Sequence, residues 1–150
     1  MIAFPDTSFL FALYRPQDNS PAAQDHYAAM TEPVHVSGLL LYEFRQSVRF
    51  QLWQHRNNPQ KGIPDNEGVA AFADLEANIA NGAVVIIPVD WADVHQIAER
   101  LSNTYTKGEG HRAFDVMHVA TALHLRARVF LSFDDRQRKL AKAVGLKVKP

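Results

Sequence analysis

The sequence predicts an α/β fold built on a central parallel sheet, and three observations lead there. Short apolar runs recur along the chain with helical stretches between them. That alternation is the pattern of a parallel sheet with crossover helices. The 150 residues are about one domain's length, and a globule of that size buries about 70% of its unfolded surface. Hydrophobic residues make up 47% and charged residues 21%, which excludes a disordered, collagen-like or coiled-coil chain. A single domain over residues 1–150 is expected, with helices flanking the sheet.

The expected strands are Ile2–Phe4, Val34–Val36, Val84–Val89, Val129–Phe133 and Leu146–Val148. Pro5 donates no ladder hydrogen bond and marks the end of the first strand. Ser20 before Pro21 reads as a helix cap, Ser37 caps Leu39–His55, and Asp90 caps Trp91–Tyr105. Ala113–Arg126 is apolar nearly all round and reads as a buried helix, while Asp135–Val144 ends at Gly145. Gln54–Asn66, rich in Asn, Pro and Gly, is expected to be the one long loop. No internal repeat or low-complexity tract interrupts this order.

The chain has no cysteine, so disulfides, zinc ribbons, iron–sulfur clusters and thiol nucleophiles are excluded. No apolar stretch approaches the about 20 residues of a membrane span, and Asp6 stands where a signal peptide would be apolar. A cytoplasmic protein is the expectation. The formal net charge is zero, yet residues 1–98 carry 5 Lys or Arg against 11 Asp or Glu, and residues 99–150 carry 11 against 5. Such polarity suits an anionic partner for one surface.

In a βαβ unit, strand ends and helix starts meet at the sheet's carboxyl edge, and four acids fall at such places. Asp6 ends the first strand, Glu43 lies early in the helix after Val34–Val36, Asp115 opens the buried helix and Asp134 ends VFLSF. A structural alternative stands beside each: Asp6 and Asp134 sit where helix caps sit, Asp134 has Gln137 three residues on, and Asp115 favours a helix dipole. Glu43 lies beside the apolar stripe of Leu40, Phe44 and Val48, where an unpaired carboxylate costs several kcal/mol, on the order of ordinary burial penalties. Carboxylates held close raise one another's pKa unless a cation neutralises them. Oxygen donors without cysteine point to Mg²⁺ or Mn²⁺ and to hydrolysis of a phosphodiester.

DTSFLFALY from Asp6, LYEFRQ around Glu43, RAFDVMHVATAL around Asp115 and FLSFDDRQRKLAKAVGL around Asp134 together resemble the PIN-domain nucleases. The likeness is greatest to the VapC-like toxin ribonucleases of bacterial toxin–antitoxin pairs, and it spans nearly the whole chain. The resemblance implies a single PIN-like domain, endoribonuclease activity, Mg²⁺ or Mn²⁺ at Asp6, Glu43, Asp115 and Asp134, a homodimer and an antitoxin partner. Pro5 and the 54–66 loop depart from the pattern.

Among supporting residues, Thr7 and Ser8 either hydrogen-bond a carboxylate or open the next helix. Asp134 is favoured over Asp135 as the fourth ligand, Arg112 positions acids or a phosphate, and His118, one turn past Asp115, either bonds it or is a satisfied core histidine. Arg45, Arg49, Trp53 and Arg56 recur at helical spacing, either as a surface for single-stranded RNA or as a solvated face. Arg136, Arg138, Lys139 and Lys142 follow Asp134 and could contact backbone phosphates. His111 and His124 lack zinc spacing, and KGEG at Lys107–Gly110 is no phosphate loop. Two rival functions remain: a non-catalytic module that binds nucleic acid or protein, and a metal-dependent phosphatase, although the D-x-D-x-T start is missing.

Overall fold

A computed structural model describes all 150 residues. Five strands form one parallel sheet: β1 (Ala3–Pro5), β2 (Val34–Val36), β3 (Val84–Ile86), β4 (Val129–Leu131) and β5 (Lys147–Lys149), in the order β3-β2-β1-β4-β5. Each strand lies within a residue or two of its expected start, but β3 and β4 stop sooner, at three residues each. Pro88 follows β3, whereas Lys147 and Lys149 flank the β5 edge with exposed side chains.

Pro5 is the last residue of the central strand. Asp6 donates its backbone N–H to Leu131 of β4 at 3.0 Å, so by alternation the nitrogen of Pro5 faces β2. The ladder with β2 accordingly carries only Ala3 opposite Val34, while the ladder with β4 runs on to Pro5 opposite Leu131. The missing donor ends one ladder and spares the other.

Helices α1 (Thr7–Tyr14), α2 (Ser20–Ala28), α3 (Gly38–Asn57) and α4 (Asp65–Ala80) precede β3. The helix α5 (Trp91–Leu101) continues through a π-helical turn, Ser102–Thr106, into the single turn α6 (Lys107–Glu109), and α7 (Ala113–His124) and α8 (Asp135–Ala143) complete the fold. Ser37 caps α3 by accepting from the Leu40 N–H at 3.1 Å, and Asp90 caps α5 by accepting from Ala92 and Asp93. The cap of α2 is Asn19 instead of Ser20. Ser20 is drawn inward, donating to the Arg15 carbonyl at 2.9 Å and accepting from the Gln17 N–H at 3.0 Å. The expected helix Trp91–Tyr105 is not uniform, because its last turn is π-helical.

The expected loop at residues 54–66 is shortened at both ends. α3 runs to Asn57 and α4 begins at Asp65, leaving one short connection. This connection folds back on α3: the Ile63 N–H bonds the Gln51 carbonyl at 3.2 Å and Ile63 is 1% exposed. Gly62 makes the turn at φ 65°, and a Cβ there would stand 1.9 Å from the Gln51 carbonyl oxygen.

The core divides between the faces of the sheet. Phe4 and Phe130, opposite one another, belong to the larger cluster with Leu40, Phe44, Val119 and Leu140. Ala3 and Leu131 face the other way into a smaller cluster with Phe9, Ala12 and Ala23 of α1 and α2. No helix is long and apolar enough to cross a membrane.

Gly62→Ala is expected to cost about 2–4 kcal/mol, because a left-handed backbone and a carbonyl clash combine at one position. Gly108→Ala, which meets nothing within 4 Å, should be neutral or slightly stabilising. Urea denaturation of both variants checks the difference, and equal stabilities would contradict the docked turn.

Candidate functional site

At the carboxyl edge of the sheet a cleft of about 630 Å³ is lined almost wholly by polar side chains, among them Glu43, Arg112, Asp115, Asp134 and Asp135. Thr7, Ser8 and Arg136 also line it. The chain topology accounts for the gathering. Asp6 directly follows β1 and Asp134 lies three residues beyond the adjacent β4, and they serve as N-caps of α1 and α8, while Glu43 and Asp115 stand in the first two turns of α3 and the first turn of α7.

Asp6 is fully buried and, unlike Thr7 and Ser8 next to it, does not line the cleft. Its Oδ1 accepts from the Ser8 hydroxyl at 2.5 Å and the Phe9 N–H at 3.1 Å, and its Oδ2 accepts from the Ser132 hydroxyl. Loss of water pushes its carboxyl up to about 6, and these three hydrogen bonds only partly offset that rise. Asp6 therefore acts as the cap that its position allows, while a carboxylate has more lone pairs than these bonds use.

Glu43 is held from both sides. Its Oε1 accepts from the Thr7 hydroxyl at 2.8 Å, and its Oε2 lies 3.0 Å from Nε2 of the buried His118. Burial raises the Glu43 carboxyl, but the hydrogen bond and charge of His118 together with the Thr7 bond outweigh it and leave the group below its ordinary value. Of the two readings of His118, the buried core histidine is the one observed, and its bond goes to Glu43, not Asp115.

Asp115 accepts no hydrogen bond from the protein. Burial raises its carboxyl, and the charges of Asp134 and Glu43 raise it further, against weaker opposition from His118 and Arg112. Asp134 caps α8 by accepting from the Gln137 N–H at 2.8 Å, and its own N–H donates to the Ser132 hydroxyl at 3.0 Å. Asp134 and Asp135 both line the cleft.

The basic residues separate into two groups. Arg112 and Arg136 line the cleft. Arg45 and Arg49 turn instead to α4, Arg45 pairing with Glu76 at 2.6 Å and Arg49 lying 5.5 Å from the Phe72 ring centre. Arg56 pairs with Asp65 at 3.2 Å, so the guanidinium row on α3 serves the α3–α4 contact. Trp53 stays 59% exposed, and Lys139 reaches Glu109 at 3.3 Å. Ser132 was missed by sequence reasoning although it organises Asp6 and the backbone of Asp134 together. The spacing Ser132-x-Asp134 after an apolar strand was its signal.

A single α/β domain with carboxylates gathered at the carboxyl edge of a five-stranded parallel sheet defines the class. The PIN domain sequence profile matches residues 3–143, and the chain belongs to the PIN domain family. In three dimensions the chain is similar to VapC20 of Mycobacterium tuberculosis, described as a toxin cleaving the sarcin–ricin loop, at 21% identity and a TM-score of 0.66 over 99% of both chains. It is similar to VapBC2 of Rickettsia felis, solved with a DNA fragment from its promoter, at 12% identity and a TM-score of 0.69 over 99% of this chain and 98% of that one. A third likeness is to FitAcB from Neisseria gonorrhoeae, at 19% identity and a TM-score of 0.65 over 99% and 97%. At such identities the likenesses establish the fold. No curated protein matches the sequence significantly.

The raised Asp6 carboxyl has a thermodynamic consequence. Released near 3.8 from the unfolded chain and about 6 from the folded one, its proton favours the fold below pH 4, and that advantage is lost as pH rises to 6. Its full size is about 3 kcal/mol. In EDTA, the stability of Asp6→Asn relative to the unsubstituted protein should therefore improve as pH rises from 4 to 7, measured by urea denaturation. A difference independent of pH would contradict the buried, desolvated placement of Asp6.

Proposed function

We propose that this protein is a metal-dependent endoribonuclease that hydrolyses RNA phosphodiester bonds as the toxin of a toxin–antitoxin pair. The observation that carries the proposal is the charge pattern of the cleft. Glu43, Asp115 and Asp134 stand close enough that two of them raise the third, and Asp6 is buried and ionisable. Like charges held together at a solvent-open edge favour an arriving cation.

By chemistry alone, oxygen donors without cysteine suit a hard divalent ion. No three His, Cys, Asp or Glu side chains stand together as a ready-made coordination cage. Mg²⁺ and Mn²⁺ suit such an edge, because Mg²⁺ in particular keeps several waters and takes one or two carboxylates plus phosphate oxygens. Asp6, Glu43, Asp115 and Asp134 would hold the ion, which when bound supplies Lewis acidity and a more acidic water for an in-line displacement.

The protein's own groups set the rest. Thr7 and His118 fix the Glu43 carboxylate from two directions, so that it meets a ligand without rotating. Ser8 and Ser132 do the same for Asp6. Arg112 and Arg136, on the cleft wall, are placed to bind the phosphate that carries the scissile bond, and Asp135 adds negative charge beside Asp134. The two basic side chains offset the repulsion between an acidic cleft and an RNA backbone.

Family membership and the likeness to VapC20 support nuclease chemistry, and the likeness to VapBC2 and FitAcB supports an antitoxin partner. An RNA substrate, a homodimer and a cytoplasmic location belong to the same proposal. The non-catalytic alternative, in which the acids only cap helices, fits Asp6 and Asp134 but gives Asp115 only the dipole of α7, with no hydrogen bond and with Asp134 and Glu43 repelling it.

Asp115→Asn should reduce metal-dependent RNA cleavage by more than about 100-fold, beyond the usual effect of losing a supporting group. Its melting temperature should equal or exceed that of the unsubstituted protein, because a repelled carboxylate is removed. Cleavage of single-stranded and structured RNA with Mg²⁺, Mn²⁺ or EDTA tests this. Retained cleavage by the variant would refute the assignment of Asp115.

A further inference from the structure

The acidic cleft leaves a second cavity unused. About 360 Å³ in volume, it lies between α5 and α7, and its polar lining includes His95, Glu99, Ser102, Thr106 and His111. The π-helical turn Ser102–Thr106 contributes two of these residues, and such wide turns recur at functional positions in proteins. Ala98, Val116 and Met117 supply apolar surface between the polar groups.

His111 fixes the chemistry of this cavity. Its side chain is 1% exposed, and its Nε2 lies 2.7 Å from Glu109 Oε2, while the other Glu109 oxygen meets Lys139 at 3.3 Å. An ionised carboxylate only accepts, so Nε2 carries the proton. In the neutral ring Nδ1 is then an acceptor, and it is buried without a partner. The Thr106 hydroxyl is likewise buried and unpartnered. Both residues line the cavity while these two atoms lie just beneath its surface, and a ligand that brings a hydrogen-bond donor and acceptor together would satisfy them once the side chains turn toward it.

We propose that this cavity binds a nucleobase. A base offers N–H donors for His111 Nδ1, ring or carbonyl acceptors for the Thr106 hydroxyl, and flat faces for Val116 and Met117. The volume falls within the range of small-ligand sites. The first turn of α7 is the wall between cavity and cleft: Arg112 and Asp115 line the cleft, and His111, Ala113 and Val116 line the cavity. Because His111 and Arg112 are consecutive and line opposite sides, a strand of RNA crossing this turn would present a phosphate to one side and a base to the other. As a base subsite for cleavage the cavity rests on the ribonuclease proposal; as a nucleobase site it stands without it.

The test is titration of the ¹⁵N-labelled full-length protein, in EDTA, with each of the four ribonucleoside 5′-monophosphates and with ribose 5-phosphate. At least one monophosphate should shift the amides of Thr106 and Met117 and the ring nitrogens of His111, and ribose 5-phosphate should not. Thr106→Val, nearly isosteric, should weaken that binding by about three- to tenfold, the usual worth of one hydrogen bond. His111→Gln should weaken it at least as much if it folds, and Thr106→Val decides if it does not.

Short single-stranded oligonucleotides separate the two sources of the base. Binding with the same base preference identifies RNA, while exclusion of oligonucleotides identifies a free nucleotide and overturns the subsite. In the cleavage assay, Thr106→Val should flatten the base preference beside the cut. Base binding without any RNA cleavage would refute the ribonuclease and leave the nucleobase site standing. Shifts absent, confined to the acidic cleft, or equal with ribose 5-phosphate would overturn the site while cleavage stood.

Discussion

One carboxylate ties the working edge of this protein together. Asp6 joins the end of β1, the start of α1 and the end of β4 through Ser8, Phe9 and Ser132. The two serines extend the tie, since Ser8 accepts from the Phe133 N–H at 2.8 Å and Ser132 accepts from the Asp134 N–H at 3.0 Å. Arg138 then grips the Ser132 carbonyl at 2.5 Å. Burying an ionisable group costs free energy unless its lone pairs are satisfied, and here its satisfaction draws in the backbone N–H groups of Phe9, Phe133 and Asp134. Asp134 takes its position from that frame, and Thr7, next to Asp6 in the chain, reaches Glu43.

Much of this was readable from residue types. The strands announced themselves as short apolar runs, because a parallel sheet buries both faces. Ser37 and Asp90 were legible as caps, because short polar side chains before an apolar periodic run have few other tasks. The four acids could be placed at one edge from connectivity alone, because every crossover in such a sheet returns the chain to the same rim. The strand order needed coordinates, since nothing local distinguishes β4 from β2 as the partner that Pro5 leaves undisturbed.

What stayed hidden had weak local signals. α4 buries Gly68, Ala71 and Leu75, a stripe of mostly small residues with little apolar periodicity. A Cβ on Gly68 would approach a Leu52 side-chain carbon to 2.7 Å, so close helix contact decided that segment and hydrophobicity did not. The arginines of α3 read as a free basic face because their partners, Glu76 and Asp65, lie on that unseen helix. Within the site, the pairing of His118 with Glu43 spans 75 residues and could not be chosen over the nearer Asp115 without tertiary geometry.

The margins of the sheet carry a last implication, for behaviour at high concentration. A strand with one side unpaired invites a second molecule to add to it, and the two outer strands here are poor templates. β5 is three residues long and presents lysines on either side of Val148, so a second copy laid alongside it would bring like charges together. β3 is equally short and leads to Pro88, which has no donor for an incoming strand. Any self-association of this protein is therefore steered to its helices, and growth into extended sheet aggregates is disfavoured from both margins.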